Sequence, residues 1–174
     1  MKNRNSIFKY LFISLVILIA KINFVSAKDL NLKATEILTF DQEESGERVE
    51  GKVSDVITLS GTPWFGGGII WDFAEDLSSW STLIVAVRSD ATALDDFDIS
   101  MQYEIAGSLS VKDVKVAASS YGYVNDGEWH VLEIPMQDLI DLGLQPTTVR
   151  SPFVFAKEGG NAGDQLSIDS LFLQ

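Results

Sequence analysis

Trp64, Arg88, Gln102, Glu104, Tyr121 and Tyr123 are the side chains of this sequence best shaped to hold a sugar. A pyranose needs flat aromatic surface against the C–H face of its ring, and planar donors and acceptors for its hydroxyls. Trp64 stands in GTPWFGGG, where Pro63 and three glycines read as an exposed loop, and Tyr121 and Tyr123 flank Gly122 in a second loop. Arg88, Gln102 and Glu104 supply planar polar groups from strand faces. Trp71 and Trp80 read instead as core or edge packing, because large aromatics are mostly buried.

Material for catalysis is thinner. His130 is the sole histidine and shares the phase of Leu132 and Ile134, so it reads as a packed strand-end residue, which leaves the common triads without a base. With no cysteine and no second histidine, the usual zinc sites cannot be built. A carboxylate pair for glycoside hydrolysis is chemically available among 25 acidic residues, but no spacing singles one out. Gly66-Gly67-Gly68 lacks the Lys-Ser/Thr of a phosphate-binding loop and precedes a strand rather than a helix.

The elements that must position these groups begin after residue 27. Lys2, Arg4 and Lys9, the apolar run Leu11 to Ala20 and the small residues of Val25-Ser26-Ala27 have the three parts of a cleaved export signal. The run is shorter than the roughly 20 residues that span a bilayer, and no cysteine follows it to carry a lipid, so no membrane anchor is expected after cleavage. Residues 28 to 174 then suit one domain, exported to a periplasm or beyond the cell. The leader removes Lys2, Arg4, Lys9 and Lys21 but no acidic residue, so the remainder is more acidic than the net −12 of the whole chain. Such a field repels phosphate backbones and anionic membrane surfaces, and no nucleic-acid partner is expected. Without cysteine, stability must come from burial and hydrogen bonding alone.

Short alternating stretches between turn-formers predict an all-β sandwich or barrel. The clearest is Phe97 to Ile105, where Phe97, Ile99, Met101, Tyr103 and Ile105 alternate with Asp98, Ser100, Gln102 and Glu104, giving one apolar and one fully polar face. Thr82 to Ser89 reads as a central strand with Arg88 on its less apolar side. Further strands are expected at Leu30 to Ile37, Lys52 to Leu59, Gly68 to Phe73, Val111 to Ala117, Trp129 to Ile134, Phe153 to Ala156 and Gln165 to Leu173. In the last, Leu166 and Ile168 fall out of phase with Leu171 and Leu173, which a bulge near Asp169 would restore. Met136 to Leu142 is a short helical connector after Pro135, stopped by Gly143.

Three segments resemble the galactose-binding-like jelly-roll modules that accompany polysaccharide-degrading enzymes: LSSWSTLIVAVRSD from Leu77, GEWHVLEIPMQDL from Gly127 and DQLSIDSLFLQ from Asp164. The arrangement is most similar to the ExoP-type domain at the C-terminus of family 3 exo-glucanases. There a similar Trp strand leads through a helical turn to a strand like Ser151 to Phe155, and then to a final strand like LSIDSL. The resemblance covers roughly Gly67 to Gln174 and implies two antiparallel sheets packed face to face, with Trp129, Pro135 and Pro152-Phe153 as structural markers. It also implies a structural calcium joining the first and last strands, with Asp41 and Asp169 as oxygen ligands, although no contiguous loop of the EF-hand kind is present. No catalytic barrel precedes the module in this sequence, so a free-standing binding protein is the expectation.

Non-catalytic binding of a glucan-type polysaccharide or oligosaccharide is therefore the leading expectation. A protein-interaction or adhesion module on the same scaffold is the alternative, and a glycoside hydrolase the third.

Overall fold

The computed structural model describes residues 27–30, 38–43, 49, 54–59, 61, 64–108 and 110–174, with backbone alone at 29, 38–43 and 64. The expected export signal lies outside the described residues but for Ala27, and among those residues no helix is long and apolar enough to cross a membrane.

Among the described residues, ten strands form two antiparallel sheets. They are β1 (Lys28–Asp29), β2 (Leu38–Glu43), β3 (Ser54–Leu59), β4 (Trp64–Gly68), β5 (Thr82–Arg88), β6 (Asp98–Glu104), β7 (Val111–Ala117), β8 (His130–Pro135), β9 (Val149–Glu158) and β10 (Gln165–Leu173). One sheet runs β2-β3-β10-β5-β8, with β1 also paired to β10; the other runs β4-β9-β6-β7. Every pairing is antiparallel. This is a sandwich, one of the two all-β architectures that the alternation allowed and the one that the resemblance implied.

The core lies between the sheets. Leu83, Val85 and Val87 of β5, Leu132 and Ile134 of β8, and Leu166, Ile168, Leu171 and Leu173 of β10 meet Ile99, Met101 and Tyr103 of β6 and Phe153 and Phe155 of β9. Ile84 and Ala86, on the outer side of β5, are buried as well, as expected of a strand hydrogen-bonded to neighbours on both sides. The phase break in β10 is a register shift between Asp169 and Phe172, where Ser170 takes φ 48° and returns Leu171 to the inner face. Met136–Asp141 forms one short helix, α1, which buries Met136 and Leu139 and leaves the chain at Gly143, whose amide bonds to the Ile140 carbonyl.

Two boundaries differ from the sequence expectation, and one expected strand cannot be compared. The Leu30 to Ile37 strand lies outside the described residues apart from Leu30, and strands flank it on either side. The fourth strand is Trp64–Gly68 rather than Gly68 to Phe73, because the glycine run pairs with β9 instead of turning. A Cβ on Gly68 would sit 2.3 Å from the Phe153 carbonyl oxygen, so the close approach of β4 to β9 requires glycine there. The strand expected at Phe153 to Ala156 runs the length of β9, and Pro152, which cannot donate to a ladder, falls where the β6 pairing is irregular.

Candidate functional site

The four-stranded sheet carries its polar outer face across all four strands. Register aligns Gly66, Ala156, Asp98 and Ala117 in one row and Gly68, Val154, Ser100 and Lys115 in the next, followed by Ser151, Gln102 and Asp113. Glycine and alanine keep one side low while longer side chains rise on the other. The result is an open trough of about 260 Å³ whose polar walls include Asp98, Gln102, Asp113, Lys115 and Glu158. A second depression of about 340 Å³ overlaps it at Asp98, Lys115 and Glu158 and extends it toward Asp96 and Phe97.

Several polar groups of the trough are held by hydrogen bonds. Lys115 Nζ donates to Asp98 Oδ2 at 2.6 Å, and this bond and its charge hold the lysine above its ordinary pKa. Lys157 Nζ donates to Asp95 Oδ1 at 2.7 Å and holds that carboxyl below the usual aspartate range. Fully buried Ser151 donates its hydroxyl to Gln102 Oε1 at 3.2 Å, which orients the amide. Arg150 Nη1 donates to Glu104 Oε1 at 3.3 Å and to the Asp72 carbonyl. Both lysines are paired with carboxylates, and Asp113 and Glu158 leave the surface with fixed donors and an excess of acceptors. That chemistry suits hydroxyl groups.

The structure brings Gln102 and Glu104 together and places Trp64 on the same sheet, opposite Glu158 and in the phase of Gly66 and Gly68. Trp64 is a strand residue, not a loop residue as the surrounding glycines suggested. Arg88 is elsewhere: it ends β5 on the other sheet, with its guanidinium 5.1 Å from the Trp129 ring, beside a separate depression of about 240 Å³ with Asp90 and Gln165.

Tyr123 corrects the expectation of an exposed aromatic. Gly122 at φ 97° reverses the chain after a single 3-10 turn and sends Tyr123 into the core, where it is 4 % exposed. Its hydroxyl donates to the Leu94 carbonyl at 2.7 Å, its ring meets Phe97 edge-on at 5.0 Å, and burial pushes its pKa up to about 12. Tyr121 is half-buried and donates to Asp138 Oδ2 at 2.9 Å. Neither tyrosine joins the trough.

His130 is only partly the packed residue expected. Its Nε2 meets Asp126 Oδ1 at 2.8 Å, and this bond, with the Glu128 amide, lowers the Asp126 pKa. Trp71 and Trp80 pack against the core as expected, and the Lys28 ammonium sits 4.4 Å over the Trp71 ring.

The described residues do not by themselves assemble the calcium site. Asp169 accepts the Val49 amide at Oδ2 and the Ser170 amide at Oδ1. Asp41 pairs through its backbone with Val56, and its side chain lies outside what is described. Among the described residues no three carboxylate or imidazole groups come together.

The sequence reading named neither Asp113 nor Lys115, although Val111 to Ala117 was read as a strand; their alternation with Val114 and Val116 on that strand was the available signal. It also missed Phe73, whose signal was a large aromatic between Asp72 and Glu75.

No protein-family model matches the chain, and no curated protein matches it. Solved structures do. The family 30 carbohydrate-binding module of a cellulosomal cellulase of Clostridium thermocellum aligns over 86% of this chain and 88% of its own, with TM-score 0.64 and 17% identity. A family 11 carbohydrate-binding module from Clostridium thermocellum, in complex with a β-1,3-1,4-mixed-linked tetrasaccharide, aligns over 85% of both chains at TM-score 0.58 and 12% identity. The exo-1,3/1,4-β-glucanase of a Pseudoalteromonas species aligns over 80% of this chain but 16% of its own, at TM-score 0.52 and 13% identity. At such identities the likeness is one of fold, and it bears out the jelly-roll sandwich that the Trp129 and C-terminal strands implied.

Proposed function

We propose that this chain is a non-catalytic carbohydrate-binding module, exported from the cell, that receives a polysaccharide segment in the trough of the four-stranded sheet. The observation that carries the reading is the trough itself. Its groups at Gln102, Asp98 and Lys115 are held by hydrogen bonds on a rigid sheet, Asp113 stands beside them, and a small-residue floor leaves room for a ring above it. Pre-set polar groups lose little freedom on binding, which is how a shallow site gains affinity for hydroxyl-rich ligands. The fold neighbours support the same class of ligand. Two are carbohydrate-binding modules by name, and one of them holds a mixed-linked tetrasaccharide.

Affinity electrophoresis in gels containing mixed-linkage β-glucan or xylan tests the proposal. Retardation of the wild type, lost in Gln102→Ala/Asp113→Ala with folding intact, is the expected result. Equal mobility of wild type and variant across both polymers would remove the reading.

A further inference from the structure

One end of the trough carries an apolar group of residues that polar recognition leaves unused. Arg150 Nη1 bridges the Glu104 carboxylate and the Asp72 carbonyl, which pins the loop after β4 to the last polar position of β6. That loop exposes Ile70 at 58% and Phe73 at 82%. Ile70 keeps the phase of Gly66 and Gly68, and Phe73 directly follows the clamped carbonyl. Val111, also exposed, stands opposite Glu104 on β7. A single exposed apolar residue is ordinary, but Ile70 and Phe73 stand three residues apart on one loop that a guanidinium ties to β6, which offers a contact surface beside the last polar position of that strand.

We infer that Ile70 and Phe73 form an apolar shelf that stacks against an outer ring of an oligosaccharide whose inner rings occupy the trough, with Arg150 as the positioning residue. The inference rests on the glycan-binding reading and adds a length requirement to it. The polar row from Asp98 to Glu104 spans roughly 20 Å at strand rise, so a ligand that fills the trough from Asp98 and also meets the shelf must be several rings long. The phenyl face of Phe73 offers such a ring the flat surface that the trough floor of glycine, alanine and valine lacks.

Calorimetric titration of the full chain with a β-1,3-1,4-linked trisaccharide and hexasaccharide tests the shelf. Phe73→Ala is expected to weaken hexasaccharide binding roughly two- to tenfold, the scale of one aromatic contact, and to leave the trisaccharide unchanged. Phe73→Trp should restore the hexasaccharide affinity. Arg150→Ala should reproduce the length-selective loss, a signature that general destabilisation would not give. If the wild type binds and Phe73→Ala weakens neither saccharide, or both equally, the shelf is overturned while the trough stands. If the wild type binds neither saccharide, the glycan reading falls with it.

Discussion

Lys115 and Asp98 stand diagonally on neighbouring strands, with Lys115 in register with Ser100, and their charges meet at 2.6 Å across the trough. Both side chains are largely exposed, so the pair contributes little to folding; exposed ion pairs are worth about 0–1 kcal/mol. Its use is positional, because it holds one ammonium and one carboxylate in a fixed arrangement facing outward. Lys115→Met should therefore leave the urea midpoint nearly unchanged while weakening oligosaccharide binding several-fold. Equal losses in stability and affinity would show that the pair serves the fold.

Tyr123 makes a prediction at high pH. Its pKa is raised by burial to about 12, above the roughly 10 of an exposed tyrosine, so its stabilising contribution is complete below about pH 10 and is lost as pH rises through 12. Phenolate absorbance should show one tyrosine ionising only as the fold opens. Tyr123→Phe leaves the Leu94 carbonyl without this donor and should cost about 1–2 kcal/mol in chemical denaturation.

Ser170 occupies a left-handed conformation that costs a non-glycine residue roughly 1–2 kcal/mol, and its buried hydroxyl has no hydrogen-bond partner among the described residues. Ser170→Gly should raise stability by about 0.5–1 kcal/mol. Ser170→Val should lower it. Thermal melts of the two variants give opposite signs if the β10 bulge is as described.

Gly68→Ala would place a methyl group 2.3 Å from the Phe153 carbonyl and 2.8 Å from Val154 Cα, both backbone atoms that cannot swing aside. Destabilisation of about 1–3 kcal/mol is expected, on the scale of an overpacked interior. Because β4 closes the low side of the trough, the substitution should also reduce glycan retention at temperatures where the variant is folded.

Alternation told inside from outside with good fidelity. Ile99, Met101 and Tyr103 are buried as their phase required, β7 and β10 have the ends expected of them, and the slip near Asp169 is a real register shift. What a period of two cannot tell is which sheet a strand joins. Arg88 and Gln102 are both outward-facing strand residues, yet they stand on opposite sheets because β5 pairs with β10 and β8 while β6 pairs with β9 and β7. Those pairings join residues far apart in the chain, and no local window contains them. Tyr123 was misplaced for a local reason: a glycine between aromatics looks like a loop tip, but a left-handed turn can aim the following ring inward. Trp64 was assigned to a loop because three glycines follow it, where close packing of β4 on β9 demanded small residues.

The most direct test is amide chemical-shift mapping of the processed chain during titration with a β-1,3-1,4-linked tetrasaccharide. The account predicts saturable shifts gathered on the outward positions of β6, β7 and β9, strongest around Ser100, Gln102, Asp113, Lys115 and Ala156. Shifts confined to the opposite sheet around Arg88, or none at all at millimolar saccharide, would contradict it.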